Sequence, residues 1–320
     1  KNLKRLYKLK LKIPHRYARV YKSVNSSGDD LSEARNTQIS FTSGQAENSK
    51  YLFFCRRGTK DCYDTSFQGF NAELLYEVAH GFAGSNTAFS IRNLMNQDTR
   101  YSEECQNCTN IFGCEGLRKK SFCILNKQYS KEEYEALVPK IIEHMKTTGE
   151  YGEFFPKELS PFAYNETIAQ EYFPLEKNTA EKEGYRWQNE EERNYKIDLE
   201  TENIPDNIKD VEDDIVNKVI SCGHAGKCRH QCTEAFKIIP EEFKFYKRMN
   251  LPLPRLCPNC RHYERINLRN PLKLWDRICM CDKNSHFHGK EKCKVEFKTS
   301  YAPEKPEIIY CEKCYQQEVY

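Results

Sequence analysis

No stretch of the 320 residues approaches the ~18 consecutive apolar positions that a membrane-spanning helix requires. The start of the chain lacks a charged n-region, an apolar h-region and a cleavage site, so secretion is not indicated. The first residue is Lys1 rather than methionine, which leaves room for residues before it. Glycine is scarce, at 14 residues. There is no Gly-rich phosphate loop, no Gly-x-Ser-x-Gly elbow and no His-Glu-x2-His pair. These absences remove the commonest nucleotide-binding, serine-hydrolase and zinc-protease signatures, and the chain reads as non-enzymatic. Charge of one sign is also missing overall: 50 Lys and Arg stand against 47 Asp and Glu. With 38% hydrophobic and 12% aromatic residues the chain can build real cores, so wholesale disorder is excluded. At ~100–200 residues per domain, its length predicts more than one.

What the chain does have is cysteine. Sixteen residues in 320 fall below the more than ~8–10% of a disulfide scaffold. Their spacing points to metal: Cys105-x2-Cys108, Cys257-x2-Cys260 and Cys311-x2-Cys314 are pairs whose thiolates can converge on one ion across a tight turn. A reduced cytosol suits unpaired thiols of this kind, so a cytoplasmic protein is expected. Cys55 and Cys62 have no such partner and read as buried free thiols behaving as small hydrophobes.

Charge divides the chain in three: +8 over residues 1–128, −12 over 129–220 and +7 over 221–320. The first 22 residues hold nine Lys or Arg and no acid. Lys8-Leu9-Lys10-Leu11-Lys12-Ile13 alternates with strand period, and we read it as an edge strand protected by lysines rather than a phosphate-binding arm. Residues 33–91 carry a faint repeat marked by Asn36, Asn48, Asn71 and Asn86, each opening a turn and a short aromatic-rich strand. Units of a dozen residues predict a β-solenoid ahead of an antiparallel meander. Ser130-x2-Glu133 is a capping box opening a helix through Tyr134, Leu137, Val138, Ile141, Ile142 and Met145. Pro139 is expected to kink or restart that helix, and Gly149 and Gly152 to end it. Prolines and aromatics then alternate through an acidic segment that reads as an extended connector packing on a neighbour. Within it, Glu190-Glu191-Glu192 and Asp213-Asp214 read as solvated faces.

Two cysteine constellations follow. Cys228, Cys232, Cys257 and Cys260 suit tetrahedral zinc, with Phe236, Ile238, Phe243 and Tyr246 as a hairpin and apolar plug between the pairs. Pro258 marks the first turn of a helix carrying the last ligands, expected over Arg261 to Asn270, as in a treble clef. The first pair is spaced x3 rather than x2, so Cys222 and His224 are substitute ligands or supporting partners. In the second constellation Cys281, Cys293, Cys311 and Cys314 are the chosen ligands, with Cys279 as the alternative and His286 and His288 available. A third ion could sit on Cys105, Cys108, Cys114 and Cys123, which otherwise read as inward rungs of the repeat.

The run from Cys232-Thr233-Glu234-Ala235-Phe236 through Phe243-Lys244-Phe245-Tyr246 to Pro254-Arg255-Leu256-Cys257-Pro258-Asn259-Cys260-Arg261 resembles a bacterial zinc-ribbon family. The resemblance covers residues 222–262 and implies a zinc role for Cys228, Cys232, Cys257 and Cys260. Cys114-Glu115-Gly116-Leu117-Arg118, Asn126-Lys127-Gln128-Tyr129-Ser130 and Ser160-Pro161-Phe162-Ala163-Tyr164-Asn165-Glu166-Thr167 are similar to stretches of large bacterial proteins that carry such ribbons. That wider likeness brings no activity with it.

The sequence therefore predicts an α+β multidomain chain. Its parts are a β-rich repetitive domain (1–128), a helix and acidic connector (129–220) and two zinc modules (221–271 and 272–320). Two structural zinc ions are expected, in a scaffold for protein or nucleic acid, with no membrane and no small-molecule substrate indicated. Arg261, Arg265 and Arg269, four apart, could share a helix face toward phosphates, with Tyr263 and Trp275 able to stack. They could equally be solvated or pair with the −12 segment. The alternative is a metal-dependent nuclease or hydrolase using His286 or His288.

Overall fold

From Ala34 onward, every third residue is buried, and all but Leu52 are small or β-branched: Ala34, Thr37, Ser40, Ser43, Ala46, Ser49, Leu52 and Cys55. The residue before each of these is in the left-handed region, from Glu33 and Asn36 through Phe54. In the computed structural model, which describes residues 2–189 and 193–320, this triplet winds the chain into a parallel β-solenoid of about nine coils. Coils are twelve residues long where Gly28 lies opposite Ser40 and Ser85 opposite Gln97. They lengthen to thirteen where Lys50 lies opposite Tyr63 and Tyr63 opposite Tyr76. Each coil thus presents four inward side chains. Pairing is parallel throughout except for the closing strand Lys127–Gln128, which turns back on Ser121–Ile124.

A left-handed backbone is costly for residues with a Cβ, least so for Asn and Asp. Two things offset the cost here. The N–H of many of these left-handed residues donates to the coil before it, as Asn36 does to Val24 O (3.0 Å) and Asn48 to Arg35 O (3.0 Å). The inward hydroxyls satisfy what remains. Ser102 Oγ donates to Arg100 O (2.9 Å) and accepts from Cys114 N (3.1 Å). Asn96 accepts from Cys108 N and donates to Cys105 O, both at 2.9 Å. Gly28 is required by close approach: a Cβ there would overlap the Ser40 carbonyl oxygen.

Both ends of the solenoid are covered, as an unpaired coil requires. At one end lies the helix Lys131–Thr148, which sets Tyr134, Leu137, Val138, Ile141 and Ile142 against Phe112 and Ile124. Its capping box is formed by Ser130 and Glu133, and Gly149 closes it in the left-handed region. The helix is continuous through Pro139 and does not restart there. At the other end sit residues 272–320, in the same compact unit as the solenoid. Strand Pro14–Arg16 runs parallel to Ile308–Tyr310, and Arg16 makes a forked pair with Glu312 at 2.5 and 2.7 Å. The buried Asp29 accepts from Ser300 Oγ at 2.7 Å.

The basic N-terminus forms a helix, Asn2–Lys10, rather than an edge strand. Leucine and lysine are both strong helix formers, and no β-branched residue precedes Ile13. The second unit spans Ser160–Pro271. Its core joins Ile204, Ile208, Val211 and Ile215 of the acidic connector to Ile220, Ile238, Phe243 and Leu253. The connector thus supplies aliphatic side chains to the first cysteine module, while Phe162 and Phe173 remain exposed. Asp213 pairs with Lys247, and Glu190, Glu191 and Glu192 lie outside the described residues. Among the described residues no helix is long and apolar enough to cross a membrane.

Asn96→Leu keeps the side-chain size but strands two buried backbone groups, at ~1–3 kcal/mol each. Urea unfolding should register a loss of about 2–6 kcal/mol. Ser130→Ala removes only a helix cap and should cost about 1 kcal/mol. If the two variants lose the same amount, the inward asparagine does not carry the coil.

Candidate metal centres

In the second unit, the strands Ile220–Ser221 and Ala235–Phe236 pair antiparallel and pinch off the loop between them. That loop carries Cys222, His224, Cys228, His230 and Cys232. Helix Pro258–Ile266 follows, with Cys257 as its N-cap and Cys260 in its first turn. Two groupings result, each with all ligand atoms within 4.8 Å of one another: Cys222, Cys232, Cys257 and Cys260, and His224, Cys228, His230 and Cys260. The hairpin expected around Phe236 to Tyr246 is replaced by a helix, Pro240–Met249, that contributes Phe243 to the core.

The C-terminal module has the same plan. Strands Trp275–Ile278 and Glu296–Thr299 pair antiparallel and enclose Cys279, Cys281, His286, His288 and Cys293. Helix Glu312–Val319 has Cys311 as N-cap and Cys314 in its first turn. Cys279, Cys293, Cys311 and Cys314 form one grouping, and Cys281, His286, His288 and Cys314 form another. Corresponding backbone amides donate to corresponding sulfurs: Cys257 N to Cys222 Sγ at 3.2 Å, and Cys311 N to Cys279 Sγ at 3.1 Å.

Four sulfurs about 2.3 Å from a central zinc ion stand about 3.8 Å apart along each tetrahedral edge. Observed separations are 3.8 Å for Cys222–Cys260, 4.0 Å for Cys232–Cys257 and 3.9 Å for Cys293–Cys311. All are far beyond the ~2.05 Å of a disulfide, and all sixteen cysteines are free. Burial alone would raise the Cys257 thiol, but hydrogen bonds from Thr233 and the Cys260 amide bring it down to about 6.

The groupings differ from the ligand sets chosen on sequence. Cys222 takes the place given to Cys228, and Cys279 the place given to Cys281, because the hairpin strands aim residue 222 or 279 at the helix N-terminus. Cys228 and Cys281 turn instead to the histidines. His224, His286 and His288 are within the groupings. His230 was missed on sequence, although Cys228-x-His230-x-Cys232 carried the signal in its alternation.

The solenoid cysteines are different. Cys105, Cys108, Cys114 and Cys123 form no metal grouping among the described residues. They occupy inward positions and donate to carbonyls as the neighbouring serines and threonines do: Cys105 Sγ to Glu103 O (3.3 Å), Cys108 Sγ to Gln106 O (3.3 Å) and Cys114 Sγ to Cys123 O (3.4 Å). Burial pushes Cys55 up to about 12 and Cys62 and Cys105 up to about 11, which keeps them as thiols.

The arginines do not share one helix face. Arg261 is held by Glu242 (3.5 Å) and the Tyr246 hydroxyl (3.2 Å). The helix ends at Ile266, and Arg269 lies beyond it, stacked on Tyr172. Acidic residues of the connector pair with the basic module: Glu171 with His262 at 2.9 Å, Glu176 with Arg229 at 2.5 Å and Asp206 with Arg255 at 2.8 Å.

No family model matches the chain, and neither a curated protein nor a solved structure matches it.

Thiol titration should separate the two classes of cysteine. With a strong chelator under native conditions, the ten cysteines from Cys222 onward should become reactive. The six of the solenoid should react only after denaturation. Early reaction of Cys55 or Cys105 would show that the solenoid interior does not protect them.

Proposed function

We propose that the protein is a non-catalytic scaffold in which zinc ions organise two small modules of zinc-ribbon or treble-clef type, leaving the solenoid as the surface for protein partners. The observation that carries this reading is closure: each grouping offers four protein donors, the arrangement of a structural rather than a catalytic zinc site. Soft thiolates favour zinc over magnesium or calcium. His286 and His288 stand in a grouping of four protein donors, which supports a structural site over the open position that the nuclease or hydrolase alternative needs. Arg261 and Arg269 are engaged within their own unit, which favours a protein partner over nucleic acid. The solenoid's outer face offers exposed aromatic side chains, among them Tyr51, Phe54, Tyr63 and Tyr76.

Stripping metal, by chelator or by acid that protonates the thiolates, should unfold both modules, and zinc should restore them. Circular dichroism read against zinc content tests this. Full native signal in a metal-free sample rejects structural zinc. A parallel salt titration with single-stranded RNA and duplex DNA should show no binding at low salt. Binding lost steeply with added salt would instead assign the basic residues to phosphates.

A further inference from the structure

We propose that each module holds two zinc ions bridged by a single thiolate, Cys260 in one module and Cys314 in the other, so that the chain carries four ions. This rests on the structural-zinc reading above and goes beyond its two expected ions. In the first module one ion takes Cys222, Cys232, Cys257 and Cys260, and a second takes His224, Cys228, His230 and the same Cys260. In the second module Cys279, Cys293, Cys311 and Cys314 hold one ion, and Cys281, His286, His288 and the same Cys314 hold the other.

The sulfur of Cys260 is 3.8 Å from Cys222 Sγ on one side and 3.6 Å from Cys228 Sγ on the other, both tetrahedral-edge distances. The histidines have the hydrogen-bonding habit of metal ligands, with one ring nitrogen facing the cluster and the other held by protein. His286 places Nδ1 3.1 Å from Cys281 Sγ and Nε2 3.3 Å from the Glu318 carboxylate. His288 places Nε2 3.4 Å from Cys281 Sγ and Nδ1 2.6 Å from the Glu291 carbonyl oxygen. In the first module Nδ1 of both His224 and His230 is buried with no hydrogen-bond partner. Their Nε2 atoms face Glu264 at 3.9 Å and the Asn267 amide at 3.3 Å. A buried ring nitrogen without a partner is costly, and an ion there removes the cost.

Charge gives an independent reason. One Zn2+ on four thiolates leaves −2. Two Zn2+ on the five thiolates of a module leave −1, and both histidines are used. The two modules differ in loop length and in the order of ligands, yet both supply five cysteines and two histidines in the same two groupings. That agreement between different loops would be a coincidence if only one grouping in each were used.

Zinc content of the full chain, by mass spectrometry under non-denaturing conditions and by elemental analysis, should be four per chain. The double variant His224→Ala/His230→Ala should hold three, and so should His286→Ala/His288→Ala. Each keeps its all-cysteine centre and the fold built on it, as circular dichroism would check. The unmutated protein gives a second readout that needs no variant. With 113Cd in place of zinc, the two ions of a module should show mutual scalar coupling through the shared sulfur. X-ray absorption should show a metal–metal distance of no more than about 4.6 Å, twice the ~2.3 Å zinc–sulfur bond. Two ions per chain, unchanged in both histidine variants and uncoupled, would overturn the bridged clusters while leaving the all-cysteine centres in place. No bound ion at all would overturn both.

Discussion

Four thiol sulfurs held within 4.8 Å of one another cannot all be ionised without a cation among them. Two unit charges 4 Å apart repel by about 4 kcal/mol even at an effective dielectric constant of 20, and four thiolates make six such pairs. Most cysteines of each module must therefore stay protonated or surround an ion. In the C-terminal module the consequence reaches the solenoid. Cys311 and Cys314 begin the helix that carries Glu312, Glu312 forks onto Arg16, and Arg16 belongs to the strand paired with Ile308–Tyr310. Ser300, just past the second hairpin strand, closes the first coil through Asp29. An ion in this module would thus fix the residues that cover one end of the repeat domain. In the other unit the sulfurs are packed among the isoleucines of the acidic connector, so the segment of opposite charge is held by apolar burial as well as by ion pairs.

The solenoid answers a different constraint. A turn at every third residue leaves a channel too narrow for large side chains, so its interior is mostly serine, threonine, alanine, cysteine and asparagine. Polar groups are tolerated there because most have a partner, Thr59 Oγ1 and Gln68 Oε1 being exceptions: the hydroxyl donates to the carbonyl two residues back, and in several coils it also accepts an amide from the next. The usual rule that a core is built from large apolar residues fails, because hydrogen bonds and close packing of small groups do the work of hydrophobic bulk.

How much of this could be read in the sequence depends on which pattern was sampled. Asn36, Asn48, Asn71 and Asn86 are all left-handed residues, the conformation asparagine tolerates best, and Asn36, Asn48 and Asn86 occupy equivalent corners, whereas Asn71 lies one corner before the equivalent Leu74. The three-residue period inside the coil was hidden: its inward positions are small and polar, so a search for apolar alternation passes over them, and the extra residues before Thr59 and Ala72 shift its phase. The capping box at Ser130 was local and therefore legible. Pro139 does not restart the helix, because packing on Phe112 and Ile124 holds it together across the missing hydrogen bond. In the modules, the paired cysteines at helix N-termini were legible from x2 spacing. Which upstream cysteine joins them was not, since that depends on the register of two-stranded hairpins only two to four residues long.

Cysteine itself is ambiguous in sequence, and what separates its two fates here is the direction of its hydrogen bonds. In the solenoid the sulfur is a donor: Cys55 faces Phe53 O and Thr65 O, and Cys62 faces Lys60 O. Burial outweighs the backbone hydrogen bonds of these sulfurs and keeps the proton on. In the modules the sulfur is an acceptor: Glu234 N reaches Cys232, Cys257 N reaches Cys222 and Cys311 N reaches Cys279. Amide hydrogens favour the thiolate, as do the N-termini of the two helices that carry Cys257-x2-Cys260 and Cys311-x2-Cys314. A Cys-x2-Cys pair is therefore no guide by itself. Cys105-x2-Cys108 has the same spacing, but its backbone turns carbonyls toward the sulfurs, and the thiols remain rungs in a stack.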